Sequence, residues 1–188
     1  RVVAVDLSLA QLEVARERVR MRGFSHVEIV QGELGDAAVR AAVGAAGADA
    51  VFAARVLHHA PRPADAFKAV AAMVRPGGSL VVIEYERHED EALRSQQADL
   101  WLGFEATELR RHARESGLVD VHVGKVPSVW CGGGPDRHVP WQIMTARAPL
   151  SAFFGPNSAR IAMSPGISFS AMRMALRPHS AREMSFTL

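Results

Sequence analysis

Short apolar runs alternate with stretches whose apolar residues recur every three or four positions, and this alternation organises most of the chain. The clearest instance spans Asp49 to Glu86. Ala50 to Ala54 is a brief apolar run of the kind that forms a buried parallel strand. After VLHHAPRP, residues Phe67, Val70, Ala71 and Val74 fall at the i, i+3, i+4, i+7 spacing of one helical face. Arg75-Pro76-Gly77-Gly78 is expected to stop that helix, because proline cannot continue it and glycine accepts a positive φ. Ser79 to Glu84 is a second apolar run. The stretch therefore predicts strand, crossover helix, strand, a right-handed βαβ unit.

The same alternation extends to both sides. Val2 to Val5 predicts a strand ending at Asp6. Ser8 and Gln11 have the spacing of a capping box, opening a helix whose apolar stripe is Leu12, Ala15 and Val19 and whose end is marked by Gly23. Val27 to Val30 predicts another strand, and the alanine-rich segment between Gly35 and Gly47 a short helix. Residues 86 to 103 are polar and charged. Glu105 to Ser116 predicts a helix closed by Gly117, followed by strands at Val119 to Val126 and Trp141 to Ala148 around a Gly-Pro-rich loop. The sum is an α/β fold with a mostly parallel open sheet, closed by an antiparallel C-terminal hairpin. The boundary falls near Ala148. From Pro149 to Leu188 the chain is rich in Ser, Met, Pro and Arg without apolar period, which predicts a poorly ordered tail after a domain at 1–148.

Composition narrows the function classes. With 188 residues, 48% of them hydrophobic, the chain can bury the core of one domain. A net charge of +2, with no basic stripe interleaved by aromatics, argues against a nucleic-acid surface on this domain. No apolar run is long enough to cross a membrane. The single cysteine, Cys131 in a Cys-Gly-Gly-Gly loop, cannot close an internal disulfide and fits a reducing cytoplasm. The chain opens without methionine, inside an apolar run, and this is read as a domain whose first part is missing.

Ligands of open α/β sheets bind outside the carboxyl ends of the strands. Asp6 sits at such an end, where a carboxylate can accept both hydroxyls of a ribose; the competing reading is a helix-capping or solvated aspartate. Gln31-Gly32-Glu33-Leu34 follows the next strand, and Ala54-Arg55 ends the one after it. His58 and His59 follow, and either imidazole could serve as a general base near neutral pH. No metal site is expected: adjacent histidines should point apart, and no Cys/His/Asp cluster is visible in the sequence to complete one. Glu84, Tyr85, His88 and Trp101 could line an acceptor site or serve the core equally well.

These residues carry a family resemblance. D-x-V-x-x-x-x-V-L-H-H followed by V-R-P-G-G-x-L-V-V-I-E, joined to Val5-Asp6-Leu7-Ser8, resembles class I S-adenosylmethionine (SAM)-dependent methyltransferases over Val2 to Ala148. The resemblance implies a Rossmann-like sheet and SAM as cofactor. It also implies binding by Asp6 and Leu7 at the ribose, by Gly32, Glu33 and Leu34 at the adenine, and by Ala54 and Arg55 near the methionine. His59 is the implied candidate for catalysis, and a small molecule the implied methyl acceptor. His88 and the segment through ADLWLGFEATELRRHARESGLVDVHV are similar to the methyltransferase domain fused to ArsR-type transcriptional regulators. That implies nucleic-acid contact only through a missing N-terminal domain, and a possible homodimer. The family's first strand, with the glycine-rich turn that wraps the amino-acid end of SAM, has no counterpart here. Without it the sheet would have a gap of roughly twice the ~4.8 Å strand spacing. Two other functions compete: a SAM-sensing or dimerisation module of a regulator, and half of a nucleotide-binding oxidoreductase. The oxidoreductase is disfavoured because Tyr85, the only tyrosine, has Glu89 rather than lysine four residues on.

Overall fold

The apolar runs do become strands. A computed structural model describes residues 1–130, 134 and 136–150. In chain order they form β1 (Val2–Asp6), α1 (Leu9–Met21), β2 (Val27–Gln31), α2 (Ala37–Val43), β3 (Ala48–Ala54), α3 (Pro63–Ala72), β4 (Val74–Tyr85), α4 (Ala92–Gln97), α5 (Ala106–Glu115), β5 (Val119–Lys125) and β6 (Trp141–Arg147). Single 3₁₀ turns occur at Leu57–His59 and Ser128–Trp130. The expected tail from Pro149 onward, and Cys131, lie almost wholly outside the described residues.

The strands form two hydrogen-bonded sets rather than the one sheet expected. β1 and β2 make a parallel pair, and a second sheet has the order β3-β4-β6-β5. β3 runs parallel to β4, whereas β6 is antiparallel to both β4 and β5, which supplies the anticipated hairpin at one edge. A ladder requires neighbouring strands about 4.8 Å apart. Among the described residues β1 meets that condition only with β2, and β3 only with β4. The consequence is visible in burial. Phe52 on β3 is 72% exposed, although a strand inside a parallel sheet is ordinarily covered on both faces.

Four local expectations change. α3 ends at Ala72, so Val74 does not extend its apolar face; it pairs with Ala48 as the first residue of β4. Arg75-Pro76-Gly77-Gly78 does turn, but inside the strand. Val74 faces Ala48 and Ser79 faces Ala50, so the four residues between bulge out of the ladder, with Gly77 at φ +75°. The Ser8 cap forms, its Oγ accepting from the Gln11 amide at 3.4 Å, while the Ser8 amide itself donates to Asp6 Oδ1 at 2.7 Å. α4 arises in the polar segment from which no element was expected, held by the buried Leu93.

The main core joins both sets of strands. Val39 of α2, Phe67 and Val70 of α3, Leu80 and Val82 of β4, Leu109 and Ala113 of α5 and Met144 of β6 are all buried together. Val5 and Val30 pack against this cluster from β1 and β2. A smaller cluster of Tyr85, Leu93 and Val139, with Trp141 against it, closes the carboxyl end of β4. There the chain crosses itself at Gly103, at φ +71°, where a Cβ would collide with the backbone carbonyl of Glu86. The clash is with backbone on both sides, so neither can yield as a side-chain tip would. Gly103→Ala is expected to destabilise the chain by about 2 kcal/mol or more, through strain at a positive φ plus overpacking. Urea denaturation checks this; a change within about 0.5 kcal/mol, as at an ordinary surface site, would show that the crossing is loose.

Candidate functional site

The carboxyl ends of β1 and β2 lie side by side, with Asp6 paired to Gln31 in register. The Gly32 amide donates to the Asp6 carbonyl at 3.2 Å, extending the pairing one residue beyond the strands. Asp6 is exposed, and its Oδ1 holds the Ser8 amide at 2.7 Å. Asp6 thus braces Ser8, the residue that caps α1, rather than capping the helix itself, and its carboxylate lies at the surface. Gln31 Nε2 donates to the Leu7 carbonyl at 3.3 Å. Glu33 is exposed, and its amide donates to Asp36 Oδ2 at 2.8 Å. Leu34 packs on the main core, so its backbone rather than its side chain is what it can offer a ligand. At Gly32 a Cβ would come within 2.9 Å of Val39 Cγ2, which explains the glycine by packing of the loop on α2.

A denser polar network occupies the carboxyl ends of β3 and β4. β3 stops at Ala54, and Arg55 takes φ +59°, an uncommon conformation for a residue with a Cβ. Its amide donates to the Ile83 carbonyl at 3.0 Å, and its guanidinium turns to Tyr85 Oη at 3.3 Å, Asp136 Oδ2 at 3.5 Å and the face of Trp141. Glu84 is fully buried. Its Oε1 accepts from the amides of Val56 at 3.0 Å and Leu57 at 2.7 Å, and its Oε2 pairs with His58 Nδ1 at 2.5 Å. One buried carboxylate thereby organises the whole 3₁₀ turn that carries both histidines.

The segment after α4 covers this turn. The amides of Leu100 and Trp101 both donate to the His58 carbonyl, at 2.9 and 3.1 Å, and Trp101 Nε1 donates to the Ala60 carbonyl at 2.9 Å. Asp99 is consequently buried over the histidines, with its Oδ1 3.6 Å from both His58 Nε2 and His59 Nδ1. The expectation that His58 and His59 point apart is corrected: their ring centroids are 4.2 Å apart and both face Asp99. A 3₁₀ turn places neighbouring side chains about 120° apart, and the return of the chain through Asp99 gathers them on one side. Burial, followed by the neighbouring His58, lowers the His59 pKa from its ordinary value. Burial and the hydrogen bond to Asp136 push the Tyr85 hydroxyl well above its ordinary range, so it stays protonated.

The structure thus collects the expected residues into two groups, Asp6, Leu7, Gly32, Glu33 and Leu34 at one pair of strand ends, and Ala54, Arg55, His58 and His59 at the other. Asp99 and Asp136 were not foreseen. Each is a lone aspartate in a polar loop, with no spacing to tie it to a strand end, and only the chain return brings it there. Two clefts of about 270 and 400 Å³ are lined elsewhere, around Glu86 and Lys125 and around Arg62 and Trp101, and neither is lined by Asp6, Glu33 or His59.

Residues 1–82 match a family model described as a methyltransferase domain. No curated protein sequence matches the chain. Among solved structures, the chain resembles phosphoethanolamine N-methyltransferase 2 of Haemonchus contortus, in complex with SAM, at 15% identity and a TM-score of 0.59, covering 78% of this chain and 43% of that one. It resembles the N-methyltransferase NodS of Bradyrhizobium japonicum WM9, bound to S-adenosylhomocysteine, at 19% identity and a TM-score of 0.55, covering 79% and 67%. It also resembles the [4+2]-cyclase SpnF at 20% identity and a TM-score of 0.59, covering 80% and 67%. The fold is therefore the α/β, Rossmann-like fold of SAM methyltransferases, and the cyclase among its neighbours shows why activity has to be argued from the site. No helix among the described residues is long and apolar enough to cross a membrane.

Proposed function

We propose that this chain is a SAM-dependent methyltransferase domain acting on a small molecule. The observation that carries the reading is the placement of an exposed carboxylate, Asp6, beside Gln31 at the carboxyl ends of two adjacent parallel strands, within the part that matches the methyltransferase family. The acceptor set suits the nucleoside half of the cofactor. Asp6 Oδ2 would accept the ribose hydroxyls while Oδ1 stays on the Ser8 amide, Glu33 would accept the adenine amino group, and the Leu34 backbone would meet the ring. When bound, SAM supplies a methyl group already activated by a sulfonium, so the protein's share of the rate is chiefly binding and alignment. Ala54 and the left-handed Arg55 end β3 where the methionine portion would approach. His59, half-exposed beside Asp99, is the imidazole able to take the acceptor's proton, and its lowered pKa keeps it unprotonated near neutral pH. A DNA-binding partner domain of the ArsR type is a reading of the 88–123 segment by resemblance.

The test is calorimetric titration of SAM. In a chain carrying an added strand and glycine-rich turn ahead of Val2, Asp6→Ala is expected to weaken binding by about 1.5–3 kcal/mol, the scale of a hydrogen bond to a charged group. Equal affinity for wild type and variant would take the ribose role from Asp6.

A further inference from the structure

We infer that His58, His59 and Asp99 form a binding site for a first-row divalent transition-metal ion of the Zn²⁺ type. This goes beyond methyl transfer and does not depend on it. One ligand atom from each residue lies within 4.8 Å of the other two. The argument begins at Glu84, whose ionised carboxylate can only accept. Oε1 already takes two backbone amides, and Oε2 pairs with His58 Nδ1. The hydrogen-bond network therefore puts the proton of a neutral His58 on Nδ1, and the lone pair on Nε2. That Nε2 is buried without a hydrogen-bond partner among the described residues, and so are both oxygens of Asp99.

A lone pair facing a buried carboxylate is repulsive, and a buried carboxylate with no donor is costly. Two imidazole nitrogens stand 3.6 Å from one Asp99 oxygen. That is too long for a hydrogen bond, so a shared proton does not account for it. It is close to the separation of about 3.4 Å between two ligands of one tetrahedral ion with bonds of about 2.1 Å. Two imidazoles and one carboxylate suit zinc and its neighbours, whereas magnesium and calcium ask for oxygen. Glu84 on the far nitrogen of His58 is the carboxylate–histidine–metal arrangement that fixes the tautomer and raises ligand basicity.

The site is held ready. Asp99 is pinned by the Leu100 and Trp101 amides on the His58 carbonyl, and Ala98 before it adopts φ +57° to make the return. The His59 side chain is 41% exposed, so a fourth position faces solvent, as in sites that bind a water or substrate. Coordination uses the His59 tautomer with hydrogen on Nε2. It displaces only a 3.4 Å contact of Nδ1 with the Ala98 carbonyl.

The experiment is titration of Zn²⁺ into the chelator-treated chain by calorimetry, with Co²⁺ as a spectroscopic probe. One equivalent is expected to bind, Co²⁺ giving the visible ligand-field absorption of a four- or five-coordinate centre. Asp99→Asn and His59→Ala are each expected to weaken binding at least tenfold. Circular dichroism establishes that both variants fold, and melting separates ligand from scaffold. Asp99→Asn removes a buried charge, so its metal-free Tm should equal or exceed wild type, while Zn²⁺ raises the Tm of wild type only. Failure to bind either ion would overturn the proposal. So would unchanged affinity in both variants, which would place the ion elsewhere, for example at His138 and Asp90, 2.7 Å apart.

Discussion

Glu84→Ala is expected to lower the stability of the chain by about 3–5 kcal/mol, the cost of removing one partner from a buried charged network. The Val56 and Leu57 amides would lose their acceptor and His58 its proton acceptor, the Leu57 and His58 partners in the buried interior and Val56 partly buried. The loss would spread, because the carbonyl of the same His58 receives the Leu100 and Trp101 amides. Glu84→Gln should cost less, since an amide oxygen can keep the two backbone donors while its NH₂ forces His58 into the other tautomer. At about 2–4 °C per kcal/mol for a chain of this size, the alanine variant should melt roughly 10 °C lower. Urea denaturation with unchanged m-value is the measurement. A loss below about 1 kcal/mol would mean that the turn at Leu57–His59 is held by packing alone.

The second large effect concerns cofactor affinity. β1 and β3 each have one edge without a ladder partner among the described residues, and apolar Phe52 is open to solvent beside one of them. The described residues offer the nucleoside end of SAM its acceptors but place no glycine-rich backbone near the methionine end. The 188-residue chain is therefore expected to bind SAM more weakly than micromolar, that is, by less than about 8 kcal/mol. Fusing a β-strand and glycine-rich turn ahead of Val2 is expected to bring the affinity into the micromolar range or better. The added strand would pair the open edges, and glycine, lacking a Cβ, would let the backbone approach the ligand. Calorimetry on both chains decides. Micromolar binding by the unextended chain would show that the edges and the turn contribute little.

The expected sheet hairpin, the strand positions and four of the five helices follow from local pattern, because apolar periodicity reports which face of an element meets a core. Leu12, Phe67 and Val70 are buried where that pattern puts them. It says less about how elements meet, which is why one expected sheet becomes two hydrogen-bonded sets. Arg75-Pro76-Gly77-Gly78 shows the limit at short range: proline and glycine predict a turn, but whether it ends an element or bulges from one depends on the pairing of Val74 with Ala48.

By itself, the sequence determined the α/β class, the end of β1 at Asp6, the loop of Glu33 and the presence of two histidines after β3. Each of these is a property of neighbours along the chain. Only the tertiary structure decided what the histidines face. Glu84 lies 26 residues from His58, Asp99 more than 40, and neither distance has a periodicity that a sequence can display. Their meeting depends on the parallel register of β3 with β4 and on the chain return at Ala98. Burial then turns that meeting into chemistry, because a carboxylate screened by water in an open loop becomes, once enclosed, a group that must find a partner.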